Sequence, residues 1–301
     1  MKKFARALLD RTPYISRLRQ GIKAMGEYPA GSYYSPIPSQ SDIRERFDRT
    51  PEAVVMPEID LRRDDQRALL DALQPHYDRL PFTQEPSPSQ RYSLASECFG
   101  QGNGIVLHAF LRHFQPKRIV EIGSGSSSML IMDTLAAVGD VNTQVTFIDG
   151  WPDNIRRLES QLTAKERQRC TVLGQRVQEV SLEVFRSLQA GDLLFVASSH
   201  VMKYGSDVER IIFEVLPALA PGVLVRFHNV YFPFEYPREW LLQGRFWNES
   251  PFLRAFLAFN AAWRIRYFDQ YAAREFKEHL HARMPLVLIH PGSGIYLERI
   301  A

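Results

Sequence analysis

The chain of 301 residues is predicted to be an α/β protein in which helices cover a mostly parallel sheet. From about residue 101 onward, short apolar strand segments alternate with helix-like segments, the pattern of repeated strand–helix–strand units. A Gly-x-Gly turn directly follows the apolar segment 119–122. The next apolar strand segment, 145–149, ends in a carboxylate, Asp149. Together these three observations indicate a nucleotide-binding sheet.

The individual elements follow from runs of apolar residues and from the turn residues between them. We predict strands over 118–122, 144–149, 170–173, 193–197, 223–227, 263–268 and 295–299. We predict helices over 103–114, 126–138, 153–162, 180–188, 206–219, 250–262 and 272–282. The last two strands are expected to form an antiparallel edge of the sheet.

Residues 1–100 are expected to form a mostly helical N-terminal cap, and residues 101–301 the sheet domain. Prolines in the loop 28–38 hold it extended and exclude a helix there. The first 25 residues are basic, which is typical either of a membrane-surface or targeting helix or of a solvated helix face. We favour the solvated face, because Pro13 and Gly21 interrupt the pattern.

Composition and charge narrow the function. The hydrophobic share of 45% is ordinary for a globular protein, and a net charge of +3 is too small to indicate nucleic acid or a membrane as the main partner. No apolar segment is long enough to cross a membrane. The two cysteines form neither a disulfide framework nor a metal-ligand spacing. We therefore expect a cytoplasmic protein that acts on a small molecule, with a homodimer as one possible assembly.

The Gly-x-Gly turn is the strongest candidate for a cofactor site. A buried strand, a turn without side chains and a helix N-terminus let a ligand lie against backbone N–H groups. We predict contacts to a nucleoside-bearing cofactor from Glu121, Gly123, Ser124, Gly125 and Ser126. An unpartnered buried carboxylate is costly, so Glu121 is expected to organise this turn.

Asp149 has two readings. The carboxylate is expected to bind the ribose diol of the cofactor, and the alternative is a simple capping acid for the helix that follows.

These motifs resemble those of class I S-adenosylmethionine-dependent methyltransferases over roughly residues 100–301. Glu121-Ile-Gly123-Ser-Gly125 is similar to that family's first motif, and Asp149 to its ribose-binding acid. The resemblance implies a Rossmann-like seven-stranded methyltransferase sheet with an antiparallel last strand, and S-adenosylmethionine as the cofactor. One bacterial subgroup of small-molecule methyltransferases is similar in more detail, through Tyr34-Ser-Pro-Ile-Pro38, Gly191-Asp-Leu-Leu-Phe-Val-Ala-Ser-Ser-His200 and His228-Asn229.

The chain departs from that subgroup where catechol-type enzymes bind a divalent cation. The acid positions at the ends of the fourth and fifth strands are Ala197 and Asn229, and Arg226 stands where a histidine is usual. Hard cations such as Mg²⁺ prefer charged oxygen ligands, which these residues do not offer. We therefore predict no metal site.

The catalytic candidates lie at the same two strand ends. His200 occupies the offset of the general base in catechol-type enzymes, and its alternative is a structural histidine that bonds a loop carbonyl. His228 and Asn229 are expected to bond substrate or the cofactor amine, or else to cap the loop. Ser198 is expected to contact the cofactor.

Aromatic residues supply the last candidates. Tyr33 and Tyr34, in the proline-stiffened loop, are expected to close over the cofactor sulfonium, with Tyr34 also a catalytic candidate, or else to pack as a surface loop. A second aromatic cluster is expected to wall a small pocket or to pack back on the domain; its members are Tyr231, Phe232, Phe234, Tyr236, Trp240, Phe246 and Trp247.

Three functions remain open from the sequence. The first is metal-independent methyl transfer to a small molecule in secondary metabolism. The second, found in proteins that resemble the same subgroup, is cyclisation of S-adenosylmethionine itself to azetidine-2-carboxylic acid and methylthioadenosine. The third is cofactor binding without catalysis.

Overall fold

The computed structural model describes residues 13–15, 17, 21, 26–49, 54–85, 87 and 90–301. Most of the basic N-terminal segment lies outside these residues. The chain divides into two compact units, one of residues 1–54 with 237–246, the other of residues 55–236 with 247–301. Residues 55–100 thus group with the sheet in this division, and the domain boundary expected at residue 100 stays a prediction.

The helices lie close to their predicted positions. In chain order they are α1 (Gln40–Asp48), α2 (Arg63–Tyr77), α3 (Gln101–Phe114), α4 (Ser126–Ala137), α5 (Pro152–Gln161), α6 (Ala164–Arg167), α7 (Leu182–Arg186), α8 (Asp207–Arg210), α9 (Leu216–Ala218), α10 (Arg238–Leu242), α11 (Glu249–Leu257), α12 (Asp269–Glu275) and α13 (Lys277–Arg283). Short 3₁₀ turns cover Val177–Glu179 and Pro285–Leu288, and a π-helical turn, Ile211–Val215, joins α8 to α9.

The strands form one sheet within the described residues. They are β1 (Arg118–Ile122), β2 (Gln144–Ile148), β3 (Cys170–Leu173), β4 (Leu193–Val196), β5 (Leu224–His228), β6 (Trp263–Phe268) and β7 (Gly294–Arg299). Their order is β3-β2-β1-β4-β5-β7-β6, and β7 runs antiparallel to both of its neighbours. The predicted Rossmann-like seven-stranded methyltransferase sheet with an antiparallel last strand is confirmed.

The central strands are apolar because helices cover both faces of the sheet. All four residues of β4, Leu-Leu-Phe-Val, are buried, and so is every residue of β5. The chain passes from β1 outward to β3 and then returns to β4 on the other side of β1. The strand order therefore reverses between β1 and β4, and a crevice for a ligand is expected at the carboxyl ends of these strands.

Some helix boundaries differ from the prediction. The helix predicted over 272–282 is two helices, α12 and α13, which are separated at Phe276. The helix predicted over 250–262 ends at Leu257, because the chain leaves the helical conformation at Ala258 and Phe259 has a positive φ of 55°. The helix predicted over 180–188 is a short helix, α7, preceded by a 3₁₀ turn.

One row of residues across the sheet contains two charged side chains. Glu121, Phe195, Arg226 and Tyr296 are register partners on β1, β4, β5 and β7. The Arg226 guanidinium carbon lies 5.0 Å from the ring centre of Phe195 and 5.1 Å from that of Tyr296. Nη2 of Arg226 lies 3.6 Å from Oδ2 of Asp269, and neither side chain is exposed. Asp269 is thus the carboxylate partner of Arg226 inside the core.

The smaller unit has its own local contacts. Ser39 caps α1 by accepting a hydrogen bond from the Asp42 N–H, as expected at a helix N-terminus. Gln40 donates from Nε2 to the Leu242 carbonyl at 3.2 Å, which joins α1 to α10. The loop that carries Tyr33 and Tyr34 is closed by a hydrogen bond from the Gly31 N–H to the Ile37 carbonyl.

In the part of the chain that the structure describes, no helix is both long and apolar enough to span a bilayer.

Candidate cofactor site

The Gly-x-Gly turn between β1 and α4 needs glycine at each position for a different reason. Gly123 has a φ of +84°, and a Cβ there would lie 2.2 Å from the Ala197 carbonyl oxygen. The turn therefore packs directly against the end of β4. A Cβ built on Gly125 meets nothing within 4 Å, so a side chain there would enter open space. Ser124 and Ser126 lie in the same turn and line the same cavity as both glycines.

Glu121 lies beneath this turn, and its side chain is fully buried. The Ser127 hydroxyl donates to Glu121 Oε1 at 2.5 Å, which joins the strand to the first turn of α4. Burial raises the pKa of Glu121 to about 8, although hydrogen bonds from Ser127 and Ser128 act in the opposite direction. Glu121 does not itself line the cavity, so it organises the turn from below, and a direct contact with the cofactor stays a prediction.

Asp149 follows β2 and holds the neighbouring turn. Its carboxylate accepts hydrogen bonds from the Ser124 N–H at 2.9 Å, the Trp151 N–H at 2.8 Å and Asn154 Nδ2 at 3.0 Å. The acid therefore ties the Gly-x-Gly turn to the start of α5. Asp149 also lines the cavity, where its role as a ribose ligand stays a prediction.

These segments line a cavity of about 760 Å³ at the carboxyl ends of the strands. It is bounded by residues 98–99, 122–127, 148–151, 154, 176–178, 197–199, 203, 205–207 and 228–229. The wall is mostly backbone and small side chains near the glycine turn, with the exposed Trp151 ring at the other side. Of the predicted site residues, the cavity brings together Gly123, Ser124, Gly125, Ser126, Asp149, Ser198, His228 and Asn229.

His228 is the last residue of β5, whereas the prediction placed it just after the strand. Its ring lies 5.2 Å from the ring of Phe99, which is also on the cavity wall. Burial, followed by the charges of Arg226 and His200, lowers the pKa of His228 well below its usual value. His228 is therefore a neutral hydrogen-bonding group at neutral pH.

His200 has a neighbouring acid that the sequence did not reveal. Its Nδ1 lies 2.7 Å from Oε2 of Glu249, whose side chain is fully buried at the start of α11. The same carboxylate accepts a hydrogen bond from the Ser198 hydroxyl at 2.6 Å. An acid in the first turn of a helix is common, so nothing in the sequence distinguished Glu249.

His200 does not line the cavity; it contacts a residue that does. Its Nε2 lies 3.2 Å from Nδ2 of Asn229. His200 is only 5% exposed and stacks on Trp247, with ring centres 4.3 Å apart. Both His200 and Asn229 have positive φ values, of 59° and 55°. His200 as a general base stays a prediction, and in this arrangement Asn229 stands between it and the cavity.

Tyr33 and Tyr34 belong to the smaller compact unit. Their rings stack edge-on with centres 5.0 Å apart, and Tyr28 lies 5.0 Å from Tyr34 on the other side. Both rings are largely exposed, at 93% for Tyr33 and 69% for Tyr34. Closure of these rings over the cofactor stays a prediction.

Part of the second aromatic cluster packs on the core rather than walling the cavity. Phe234 is 1% exposed and lies 5.1 Å from the ring of Phe268. Phe232 contacts the same ring at 5.6 Å, and Tyr236 is 4% exposed. Of the two alternatives for these three residues, packing on the domain is the one observed.

The sheet order, the Gly-x-Gly turn and the acid after β2 define this protein as one of methyltransferase fold, with a candidate cofactor site at the strand ends. Residues 120–230 match a family model described as a methyltransferase domain. The matched range runs from β1 through the residues just after β5 and contains the whole of the glycine turn. The cofactor and enzyme class expected from the sequence agree with this match.

Similarity to known proteins extends beyond residues 120–230. An uncharacterised protein of Archaeoglobus fulgidus is 29% identical over 170 residues, which cover 54% of this chain and 74% of the relative. One similar structure is that of TomG from Streptomyces achromogenes, an O-methyltransferase involved in tomaymycin synthesis, in complex with SAM. Its sequence is 18% identical, the match covers 78% of this chain and 90% of that chain, and the TM-score is 0.43. The SAH-bound methyltransferase PaMTH1 of Podospora anserina is 14% identical, covers 84% and 100%, and has a TM-score of 0.42.

Proposed function

We propose that this protein transfers a methyl group from S-adenosylmethionine to a small-molecule acceptor without a metal ion, as part of secondary metabolism. The observation that carries the proposal is one cavity with two features. It contains the glycine turn, and the residues that follow β4 and β5 in its wall are not the acids that would bind a metal. The turn and Asp149 lie on one side of this cavity, and Ala197 and Asn229 line the strand ends.

The cavity fits the cofactor in shape and in chemistry. The missing side chain at Gly125 leaves open space beside the turn, where the methionine part of the cofactor would lie. Asp149 would hold the ribose diol from the end of the neighbouring strand, β2. The exposed Trp151 ring at the cavity wall offers a stacking surface for the adenine base.

The donor set at the strand ends does not suit a hard cation. Ala197 has no ligand atom, and Oδ1 of Asn229 already accepts a hydrogen bond from the Ser293 hydroxyl at 3.0 Å. Both acids that line the cavity are also engaged: Asp149 accepts three hydrogen bonds, and Asp207 accepts two from Ser199. Hydrogen bonds thus already hold these oxygens in place, and the described residues contain no group of three or more His, Cys, Asp or Glu side chains that could hold a metal ion, which favours a reaction that does not need one.

The residues present support positioning more than acid–base chemistry. When bound, S-adenosylmethionine supplies an electrophilic methyl group: the acceptor's lone pair forms the new bond to carbon, the S–C bond breaks, and the acceptor's proton passes to solvent. Orientation of an acceptor in line with that bond is worth several kcal/mol of the barrier. An acceptor that is already nucleophilic, such as an amine or a soft carbon, suits this site.

A second candidate reaction uses the cofactor alone. Conversion of S-adenosylmethionine to azetidine-2-carboxylic acid and methylthioadenosine needs neither a metal nor an acceptor. The Phe99 ring on the cavity wall is compatible with this reaction, because an aromatic face attracts a sulfonium cation, and it would serve methyl transfer equally. Binding without turnover is the third outcome.

One experiment separates these functions. Purified protein is incubated with S-adenosylmethionine, first alone and then with a panel of small amines, alcohols and carbon acids, and the products are analysed by mass spectrometry. The proposal expects S-adenosylhomocysteine and a product 14 Da heavier than its acceptor, a mass shift unchanged by a chelator. Methylthioadenosine without any acceptor would establish the cyclisation instead. Tight binding of S-adenosylhomocysteine with no turnover across the panel would contradict both reactions.

We also propose that the protein works as a homodimer. Sedimentation velocity of the full chain tests this, because a monomer at micromolar concentration would contradict it.

A further inference from the structure

A chain of hydrogen bonds connects a buried carboxylate to the wall of the cofactor cavity. Glu249 contacts Nδ1 of His200 at 2.7 Å, and Nε2 of the same ring lies 3.2 Å from Nδ2 of Asn229. Asn229 in turn accepts the Ser293 hydroxyl at 3.0 Å. Asn229 lines the cofactor cavity, whereas Ser293 lines a second cavity of about 800 Å³. The two cavities therefore adjoin at the Asn229–Ser293 pair.

With Glu249 ionised and His200 neutral, the donors and acceptors along this chain fit together in one sense. Both oxygens of Glu249 accept hydrogen bonds, Oε1 from Ser198 and Oε2 from His200, so Nδ1 of His200 carries the hydrogen. In a neutral imidazole the other nitrogen, Nε2, is then an acceptor. It must receive a hydrogen from the Asn229 amide nitrogen. The amide oxygen is thereby directed to Ser293.

The surroundings hold this arrangement in place. The Trp247 ring stacks on His200 at 4.3 Å. The His200 carbonyl accepts the N–H groups of Asn248 at 3.0 Å and Glu249 at 3.1 Å, so the start of α11 is bonded to the backbone of His200. The His200 N–H donates to the Ser198 hydroxyl at 2.9 Å. Both partners of this hydrogen bond, His200 and Glu249, are thus fixed by backbone as well as side-chain contacts.

We propose that Glu249 is a positioning residue: it sets the tautomer of His200, and through it the orientation of the Asn229 amide at the junction of the two cavities. An aspartate at position 229 would offer Nε2 only acceptor oxygens. Nε2 could then no longer accept a hydrogen from residue 229, and the order of donors and acceptors along the chain of hydrogen bonds would be lost. Asn229 therefore has a role of its own in this series of hydrogen bonds, and it is not merely a substituted metal ligand.

One consequence for the substrate rests on the proposed function. An amide oxygen has two acceptor positions, and Ser293 occupies one of those on Asn229. The other is available at the cavity junction for a hydrogen of the acceptor. Of the two acceptor types that suit the proposed function, this arrangement favours an amine, whose nucleophile carries an N–H group, over a soft carbon.

The tautomer is tested by NMR on the full chain with ¹⁵N-labelled histidine and asparagine, and the His200→Gln variant assigns the signal. The expected result is a protonated Nδ1, an unprotonated Nε2 and a scalar coupling between His200 Nε2 and Asn229 Nδ2 across the hydrogen bond. The Glu249→Gln variant retains an acceptor for Nδ1 and is expected to keep this pattern. Glu249→Leu removes the acceptor, so the coupling should disappear and the Asn229 amide hydrogens should exchange about tenfold faster. A protonated Nε2 in the unaltered protein would overturn the proposal.

A second measurement separates this inference from the proposed function and from misfolding. Neither Glu249 nor its variants touch the cofactor cavity, so S-adenosylhomocysteine should bind both variants within about twofold of the unaltered protein, which also reports a folded domain. If the unaltered protein does not bind S-adenosylhomocysteine, the proposed function fails while the NMR result still decides the tautomer. With the acceptor found in the panel, Glu249→Leu should lower kcat/KM about tenfold and Glu249→Gln much less. Equal losses in both variants, or a carbon acceptor, would contradict the positioning role.

Discussion

Arg226 and Asp269 face each other inside the core, with 3.6 Å between Nη2 and Oδ2 and no exposure of either side chain. Nη2 of Arg226 also donates to Asn103 Oδ1 at 2.7 Å. Burial raises the pKa of Asp269 to about 7, although the Arg226 charge acts to lower it. Because Arg226 lies on β5 just before His228 and Asn229, this pair also fixes the strand that carries the cavity residues.

Removal of either Arg226 or Asp269 alone should therefore lower the free energy of unfolding. Arg226→Met is expected to lower the free energy of unfolding by about 3 kcal/mol or more, because Asp269 then lies in the core without its partner. The double variant Arg226→Met with Asp269→Leu should lose clearly less than the sum of the two single changes. Urea unfolding of the four proteins measures this as a double-mutant cycle. Simple additivity would show that the two side chains do not interact.

A half-exposed ion pair on the neighbouring strands serves as the matched control. Arg264 contacts Glu298 at 2.8 Å, with 32% and 15% of the two side chains exposed. Arg264→Met is expected to change the free energy of unfolding by about 1 kcal/mol or less, because solvent screens the pair. A loss as large as that of Arg226→Met would mean that burial does not explain the difference.

The sheet and the cofactor half of the site follow from local sequence. Alternation of strands and helices predicts a mostly parallel sheet, and the resemblance to methyltransferases implies its seven-stranded form with an antiparallel last strand. The residues of the turn, Glu121 to Ser126, could be assigned because adjacent residues build it. Asp149 belongs to the same group, because its role depends on its place at the end of a strand.

The remainder of the site depends on contacts between residues distant in the sequence. Glu249 meets His200 across 49 positions, and Asp269 meets Arg226 only after the last strands have joined the sheet. A single sequence carries no signal for such pairs, because each acid also suits the start of a helix, where both in fact lie. The contact between Asn229 and Ser293 was likewise hidden, since Ser293 precedes the strand that inserts between β5 and β6.

Substitution of the two glycines of the turn should have different effects, on stability at Gly123 and on cofactor binding at Gly125. Gly123→Ala places a Cβ 2.2 Å from the Ala197 carbonyl at a positive φ, so we expect a loss of about 2 kcal/mol or more in the free energy of unfolding. Gly125→Val should leave stability nearly unchanged and abolish cofactor binding, because the new side chain enters the cavity. Thermal unfolding and calorimetry with S-adenosylhomocysteine measure the two effects. Normal affinity in a folded Gly125→Val variant would refute this placement of the cofactor.

Asp149 should contribute to binding both directly and through the glycine turn. Asp149→Asn replaces one acceptor oxygen with a donor, which conflicts with the Ser124 and Asn154 donors or with the Trp151 N–H. We expect the affinity for S-adenosylhomocysteine to fall by about ten- to a hundredfold. The matched control is Asp153→Asn on the same helix start, because the Asp153 side chain is 90% exposed. Calorimetry should find that control unchanged, and an equal loss in both variants would point to a general charge effect.

Glu121 should make the protein less stable as the pH rises. Burial raises the pKa of its carboxyl from 4.5 to about 8 in the folded state, so the folded protein retains a proton that the unfolded chain has released. The contribution of Glu121 is therefore greatest below about pH 4.5 and declines as the pH rises toward 8, by at most about 1.4 kcal/mol per pH unit. Asp269, whose pKa is about 7, acts in the same direction at lower pH. Urea unfolding between pH 5 and 8 measures the combined decline, and Glu121→Gln should remove the part that is due to Glu121. An unchanged slope in that variant would contradict the assignment.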